Sequence, residues 1–344
     1  MNPRSIAEID AAHLSREKFD SDIRPAGKPL VFRGLVANWP LVKMAKDSDA
    51  ALFDYLKTHD TGHPQNSLIG KSEDKGHFFF SDDLRGQNYR YETETLSTAL
   101  DKILSDRQTI RYIQSIQSAE HCSHVARDNA MPLIEANVSP RFWIGGKTVV
   151  QTHFDLSENI ACLVAGHRKV TMFPPEQLKN LYPGPLETAP GGTPVSLARV
   201  EAPDFDKYPR FEDALNTALT TELLPGDALY IPPGWWHRIE ALAEINMLAN
   251  FWWTAPGGMT GSPYGVMAHA MMAFSDMPPA YRTLWKNIFE YFVFREHGDP
   301  MGHVDNPVRG LLGGIPADRR EGMIYELLTV LGQETGIAPP PKPK

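Results

Sequence analysis

His153 and Asp155 stand two residues apart in the segment TVVQTHFDLSEN, and His237 lies far downstream in PGDALYIPPGWWHRIEAL. Two imidazoles and one carboxylate are the donors of a 2-His-1-carboxylate facial triad. Such a triad holds one face of a non-haem Fe(II) and leaves the other positions open for a cosubstrate and oxygen. The chemistry implied is oxygen activation at iron. An isolated H-x-D pair says little in a chain with 12 histidines, because a solvated or hydrogen-bonded imidazole is the commoner case. Its combination with G-D-x-L-Y-I-P-x-x-W-W-H is far less expected by chance.

Such a triad needs particular elements to carry it. In an extended strand, residues i and i+2 share a face, so His153 and Asp155 reach one metal from one strand while Thr152 and Phe154 turn away. KTVVQTHF is rich in β-branched residues and ALYIP is a short apolar run, both strand-like. The PGD before the second run reads as a turn, and the PPG after it forces a break. This pattern predicts His237 just after a strand end, on a rigid loop beside Trp235 and Trp236.

From about residue 29 to residue 253 the chain resembles the cupin-like JmjC Fe(II)/2-oxoglutarate oxygenases. It is most similar to the branch of the asparaginyl hydroxylase that modifies hypoxia-inducible factor, and to that enzyme's bacterial relatives. The segments that carry the resemblance run in the family's order. They are PLVFRGLVANWP, FFFSDDLRGQNYRYE, RYIQSIQ, WIGGKTVVQTHFDLSENIACLVAGHRKVTMFPPEQLKNLYPGPL, PGDALYIPPGWWHRIEAL and NMLANFWW. The resemblance implies a double-stranded β-helix (a jelly-roll, or cupin, barrel), mainly β with helical additions and C-terminal helices. It implies Fe(II) as cofactor at the mouth of the barrel and 2-oxoglutarate as cosubstrate.

The resemblance also assigns a pocket. The distal carboxylate of 2-oxoglutarate needs a cation. The family places a lysine for this two residues after a glycine, and here that position is Arg168, with Lys169 next to it. Read as one continuous strand, IACLVAGHRKVTMF puts Cys162, Val164, Gly166 and Arg168 on one face and Lys169 on the other. Arg168 is therefore the expected anchor, since a guanidinium binds a carboxylate bidentately. Tyr112 matches a tyrosine that assists that carboxylate. Asn159 and Asn250 match asparagines near the iron and the 1-carboxylate. A family threonine is Val150 here, which leaves Thr148 as a replacement donor. Gln114 matches a substrate-contacting position, and Trp252 belongs to the expected substrate wall.

Composition allows one large domain with appendages or two small ones: 344 residues, 42% of them hydrophobic. Residues 1–110 mix short helices and strands expected to pack on the barrel. SREKF starts a helix with Ser15 as N-cap, LVFRGL is a strand, and LSTALDKILSD is an amphipathic helix. Residues 111–255 form the barrel core. It is interrupted by a Pro/Gly-rich insert read as a surface loop, followed by the short helix RFEDALNTAL. Residues 256–335 carry three helix-period apolar faces rich in methionine and aromatic residues. Residues 336–344 are a Pro-rich tail expected to be disordered. The apolar C-terminal faces, with the resemblance, give the expectation of a homodimer through those helices.

Net charge of −8 and a pI near 5.8 argue against a nucleic-acid partner. Cys122 and Cys162 lie in unrelated segments, as in a reduced cytoplasmic protein. The N-terminus has no signal core and no apolar run reaches membrane-spanning length. A protein or peptide side chain is the expected substrate. Alternatives are a small molecule, a metal-binding cupin without redox chemistry (which commonly adds a Glu and further His ligands), and an interaction protein with a decayed site.

Overall fold

Gly166 divides the long apolar run at its centre, and the two halves enter different sheets. The computed structural model describes residues 4–135, 137–254, 262–305 and 308–336. The chain divides into two compact units, residues 1–258 and 259–344. In the first unit the strands are β1 (Arg4–Ser5), β2 (Ala7–Asp10), β3 (Leu30–Arg33), β4 (Pro64–Gly70), β5 (His77–Phe78), β6 (Arg90–Thr95), β7 (Ile110–Gln117) and β8 (Arg141–Gly145). They continue as β9 (Val149–His153), β10 (Glu158–Ala165), β11 (Arg168–Phe173), β12 (Leu219–Leu223), β13 (Ala228–Ile231), β14 (Trp236–Ala241) and β15 (Asn246–Trp253). A nine-stranded sheet runs β2-β3-β13-β10-β15-β8-β7-β4-β6, and a six-stranded sheet runs β1-β12-β11-β14-β9-β5. This is the jelly-roll, mainly β architecture with added helices. Residues 1–110 do more than pack on the barrel, since they supply strands to both sheets.

Alternation assigns the two faces of each strand. Ala161 and Leu163 of β10 join Leu68, Tyr112, Val170, Met172, Ile239 and Leu248 in the core between the sheets. Ile160, Cys162 and Val164 point the other way, into a core shared with Leu41, Leu52, Phe53 and Leu100. Those four come from the helices Pro40–Asp47, Asp49–Thr58 and Leu96–Ser105. With both faces covered, all eight residues of β10 are buried, and from Ile160 onward the strand reads as a continuous apolar run. Cys122 and Cys162 are both buried free thiols.

The continuous-strand reading of 160–173 is therefore corrected. Cys162 faces the helices and Arg168 faces the barrel interior, because the register restarts at the turn. Gly166 has φ +88°, and a Cβ there would lie 2.3 Å from Asn246 Oδ1 and 2.5 Å from the Ile245 carbonyl. Asn246 fills the turn, accepting from His167 N at 3.2 Å and donating to the Ala243 carbonyl at 2.6 Å.

The smaller helices follow their capping signals. Ser15 Oγ accepts from Lys18 N at 3.1 Å ahead of Arg16–Lys18. The helix Phe211–Thr217 buries Phe211 and Ala214 against Phe173 and Trp236.

The second unit contains the helices Pro263–Phe274, Pro279–Phe292 and Ala317–Thr335. It leaves large apolar side chains exposed, among them Val266, Met272, Leu284, Phe294 and Leu327. Of residues 336–344, read from the sequence as a disordered tail, Gly336 caps the helix Ala317–Thr335, and residues 337–344 lie outside the described residues. No described helix is long and apolar enough to cross a membrane.

Gly166→Ala is expected to lower the unfolding free energy by about 1–3 kcal/mol through the left-handed backbone alone, with the Asn246 clash added. Urea unfolding checks this, and a wild-type midpoint would contradict the requirement for glycine in this turn.

Candidate metal centre

His153 is the last residue of β9 and His237 the second of β14, and the two face each other across the antiparallel pair. His237 thus sits on a strand, not on the loop after one; the PPGW turn ends one residue earlier than its prolines indicate. Between this pair and the pair Ile239–Val150, β9 has one residue more than β14. The bulge lets Val150 and His153 both face inward. Asp155 lies just beyond β9, not on the same strand as His153, and its carbonyl accepts from Gly234 N at 2.8 Å, tying it to the PPGW turn. Thr152 and Phe154 diverge from the ligands as alternation requires, with Phe154 edge-on to Trp236 at 4.8 Å.

One donor atom from each of His153, Asp155 and His237 lies within 4.8 Å of the others. The rings of the two histidines are 4.3 Å apart, and Asp155 Oδ2 is 3.7 Å from His237 Nε2. Each ring is held from behind. His153 Nδ1 donates to the Gln151 carbonyl at 2.8 Å, and His237 Nδ1 donates to the Trp235 carbonyl at 3.0 Å. A carbonyl only accepts, so in the neutral ring the proton sits on Nδ1 and Nε2 carries the lone pair that a metal takes. Burial, then the neighbouring His153, holds the His237 imidazole well below its usual range against the opposing pull of Asp155. The ring is therefore neutral, as a ligand must be. Asp155 Oδ2 is buried without a hydrogen-bond donor. An orphan carboxylate oxygen between two oriented Nε2 atoms fits a divalent cation.

A cavity of about 270 Å³ opens from the triad into the barrel. Arg168 lines it and is 1% exposed. Its neighbours across β12 and β14 are Leu223 and Ala241, neither of which offers a counter-charge. Arg168 Nε and Nη2 have no hydrogen-bond partner, and among the described residues no carboxylate pairs with it. The Tyr112 hydroxyl lies beside it; burial pushes that hydroxyl up and Arg168 pulls it down. Burial likewise pulls the guanidinium down. A desolvated cation without an anion is strongly unfavourable, so this arrangement fits a bound carboxylate. Lys169 faces outward between Glu222 and Glu240 and does not line the cavity.

Asn159, Asn250, Gln114 and Trp252 all line the same cavity. Asn250 Nδ2 donates to Asn159 Oδ1 at 3.1 Å, which leaves Asn250 Oδ1 and Trp252 Nε1 buried without partners. Thr148 is buried with its hydroxyl unpartnered, but it does not line the cavity.

The insert is not simply a surface loop. Pro190, Gly191, Thr193 and Val195 form one wall of the cavity, and Val195 bridges to His153. Sequence reasoning missed this wall, and the only signal was the PGGT glycine pair with φ near +74° at each residue. It also missed Ser115, whose φ of +58° marks the β7–β8 bulge beside Gln114.

A cupin-like domain profile matches residues 16–259. The chain is 36% identical over 117 residues to lysine-specific demethylase JMJ31 of Arabidopsis thaliana, covering 33% of this chain and 21% of that protein. It is 25% identical over 265 residues to lysine-specific demethylase 8 of Danio rerio, covering 74% and 60%. It is 24% identical over 312 residues to tRNA wybutosine-synthesizing protein 5 of Mus musculus, covering 79% and 90%. The chain spans less than two thirds of the length of the two demethylases.

Replacing His237 or Asp155 with Ala is expected to abolish stoichiometric Co(II) or Mn(II) binding while circular dichroism stays unchanged. Full occupancy in His237→Ala would refute the assignment.

Proposed function

The chain is a JmjC-type member of the cupin-like domain family, and we propose that it is an Fe(II)- and 2-oxoglutarate-dependent dioxygenase that hydroxylates a protein or peptide side chain. The observation that carries this reading is the unpaired, fully buried Arg168 in the same cavity as the His153–Asp155–His237 triad. A molecule that chelates a metal at one end and presents a carboxylate at the other satisfies both. Iron and 2-oxoglutarate, when bound, supply oxygen activation coupled to decarboxylation of the cosubstrate to succinate and CO2.

The chain's own residues do the rest. His153, Asp155 and His237 hold one face of the ion and leave the opposite face toward the cavity. Arg168, with Tyr112 beside it, orients the cosubstrate by its distal carboxylate. Leu68, Phe78, Val150, Ile239 and Leu248 line the inner end with apolar surface and exclude water. Gln114, Thr193 and Trp252 give the outer end neutral polar groups toward the substrate.

Hydroxylation and demethylation begin with the same hydrogen abstraction, and the pocket decides which C–H is presented. Among the described residues Asp155 is the only carboxylate that lines the cavity. With that group committed to the metal, no carboxylate of the cavity remains to pair with a cationic lysine, which favours a neutral side chain. The mouse relative, named for a tRNA modification, aligns over 90% of its length and supports a second reading with a small molecule or nucleoside as substrate. The net charge of −8 weighs against a polyanion.

We also propose a homodimer formed through the C-terminal helices, where Val266, Met271, Met272 and Leu327 are exposed. Sedimentation equilibrium is expected to give twice the monomer mass, and a monomer at high concentration would refute the proposal.

Arg168→Ala is expected to weaken 2-oxoglutarate binding by one to two orders of magnitude, about 1.5–3 kcal/mol for a charged hydrogen bond. Lys169→Ala should leave it unchanged. The opposite pattern would reverse the roles of the two. The reaction type is checked by mass spectrometry of peptides incubated with enzyme, Fe(II) and 2-oxoglutarate. A stable gain of one oxygen is expected, and formaldehyde release coupled to turnover would instead mark a demethylase.

A further inference from the structure

Behind the metal centre lies a polar cluster that the proposed chemistry does not use. Glu201 lies within the insert between β11 and β12, and its carboxylate gathers side chains from three strands. Oε1 accepts from Gln151 Nε2 of β9 at 2.9 Å and from Arg199 Nε at 2.7 Å. It also lies 3.2 Å from His77 Nδ1 of β5, while Oε2 lies 3.4 Å from Arg238 Nε of β14. Arg238 and Gln151 are 4% and 3% exposed, so these contacts are made largely out of water.

Both inner partners adjoin a metal ligand. Gln151 provides the carbonyl that receives His153 Nδ1–H, and Arg238 follows His237 directly. The same carboxylate also anchors the insert. A few residues before it, Ser196 N donates to the Thr152 carbonyl at 2.8 Å and Val195 bridges to His153. Upstream lie Pro190, Gly191 and Thr193 of the cavity wall. A Cβ at Gly191 would stand 3.5 Å from Gln114 Nε2, which places this wall against the expected substrate-contacting residue.

We propose that Glu201 is a positioning residue that locks the 183–200 segment and both metal-bearing strands into one unit, fixing the substrate wall relative to the metal. The inference rests on the reading of the triad as a metal centre. Its chemical basis is that one carboxylate accepts from Arg199 and from the amide of Gln151 and lies 3.4 Å from the Arg238 guanidinium, whose other arm pairs with Glu240 at 2.8 Å. No neutral side chain of the same shape does all three. Arg199, 40% exposed at its side chain, is the peripheral arm and contributes least.

The test uses the full chain, with Co(II) as the probe. Wild type, Glu201→Gln, Arg199→Ala and His237→Ala are compared by Co(II) affinity and visible spectrum, and by the rate of subtilisin cleavage within 183–200. Glu201→Gln is expected to bind Co(II) about tenfold more weakly, the scale of losses seen when residues supporting metal ligands are changed. Its Co(II) spectrum should shift, and its insert should be cut about tenfold faster as local opening becomes easier. Arg199→Ala should match wild type in both. If Glu201→Gln matches wild type in either affinity or cleavage, the coupling is refuted. Should Glu201→Gln fail to fold, Gln151→Met removes the inner arm alone and is held to the same outcomes. Full Co(II) binding by His237→Ala would instead refute the metal centre on which the proposal rests.

Discussion

Pairing of β14 with β9 on one side and β11 on the other is the constraint on which the site depends. It sets His237 opposite His153 and, through the β11 register, places Arg168 opposite Ala241 on the interior face. Side chains alternate with a period of two, so a slip of one residue in β11 would exchange Arg168 for Lys169 and send the buried cation to solvent. The register is held by Val170, Met172 and Ile239, which face the core with Leu163 and Leu229 from the opposite sheet. Helices behind the nine-stranded sheet secure that sheet in turn, through Ile160 and Val164. The geometry of the triad is thus a product of barrel packing and not of a flexible loop.

Electrostatics explains why the cavity is a binding site and not a filled core. A guanidinium without a counter-charge, with a phenol beside it, and a carboxylate oxygen without a donor all border one cavity. Each is unfavourable in the free protein, with penalties of several kcal/mol for the buried ions. A dicarboxylate and a divalent cation relieve them together. His237 contributes no competing charge, because burial keeps its imidazole neutral.

Much of this was legible in the residues. His153, Asp155 and His237 carry a donor set and a strand spacing that the structure brings to within 4.8 Å. Arg168 was reached through the resemblance, although the alternation argument behind it ran through Gly166, where the strand actually ends. The inward direction of Arg168 comes from a separate register, which no local pattern encodes. The position of His237 on a strand was hidden because the two prolines of IPPGWWH look like a longer interruption than they make. The Pro190–Val195 wall was unreadable for a different reason: a Pro/Gly-rich segment looks the same whether it is solvated or pinned by distant partners. Only the tertiary contacts to Thr152 and His153 separate the two cases. Glu201 was hidden likewise, since its partners come from three strands far apart in sequence.

The central claim is that the triad and Arg168 act together on one ligand. Anaerobic calorimetry on the Mn(II)-loaded wild-type protein tests it most directly, by comparing 2-oxoglutarate with 2-oxobutanoate, which keeps the chelating end and lacks the distal carboxylate. 2-Oxoglutarate is expected to bind at least about tenfold more tightly, as for a charged hydrogen bond to a buried guanidinium, and to require the metal for binding. Equal affinity for the two acids, or 2-oxoglutarate binding that is unchanged when Mn(II) is omitted, would contradict it.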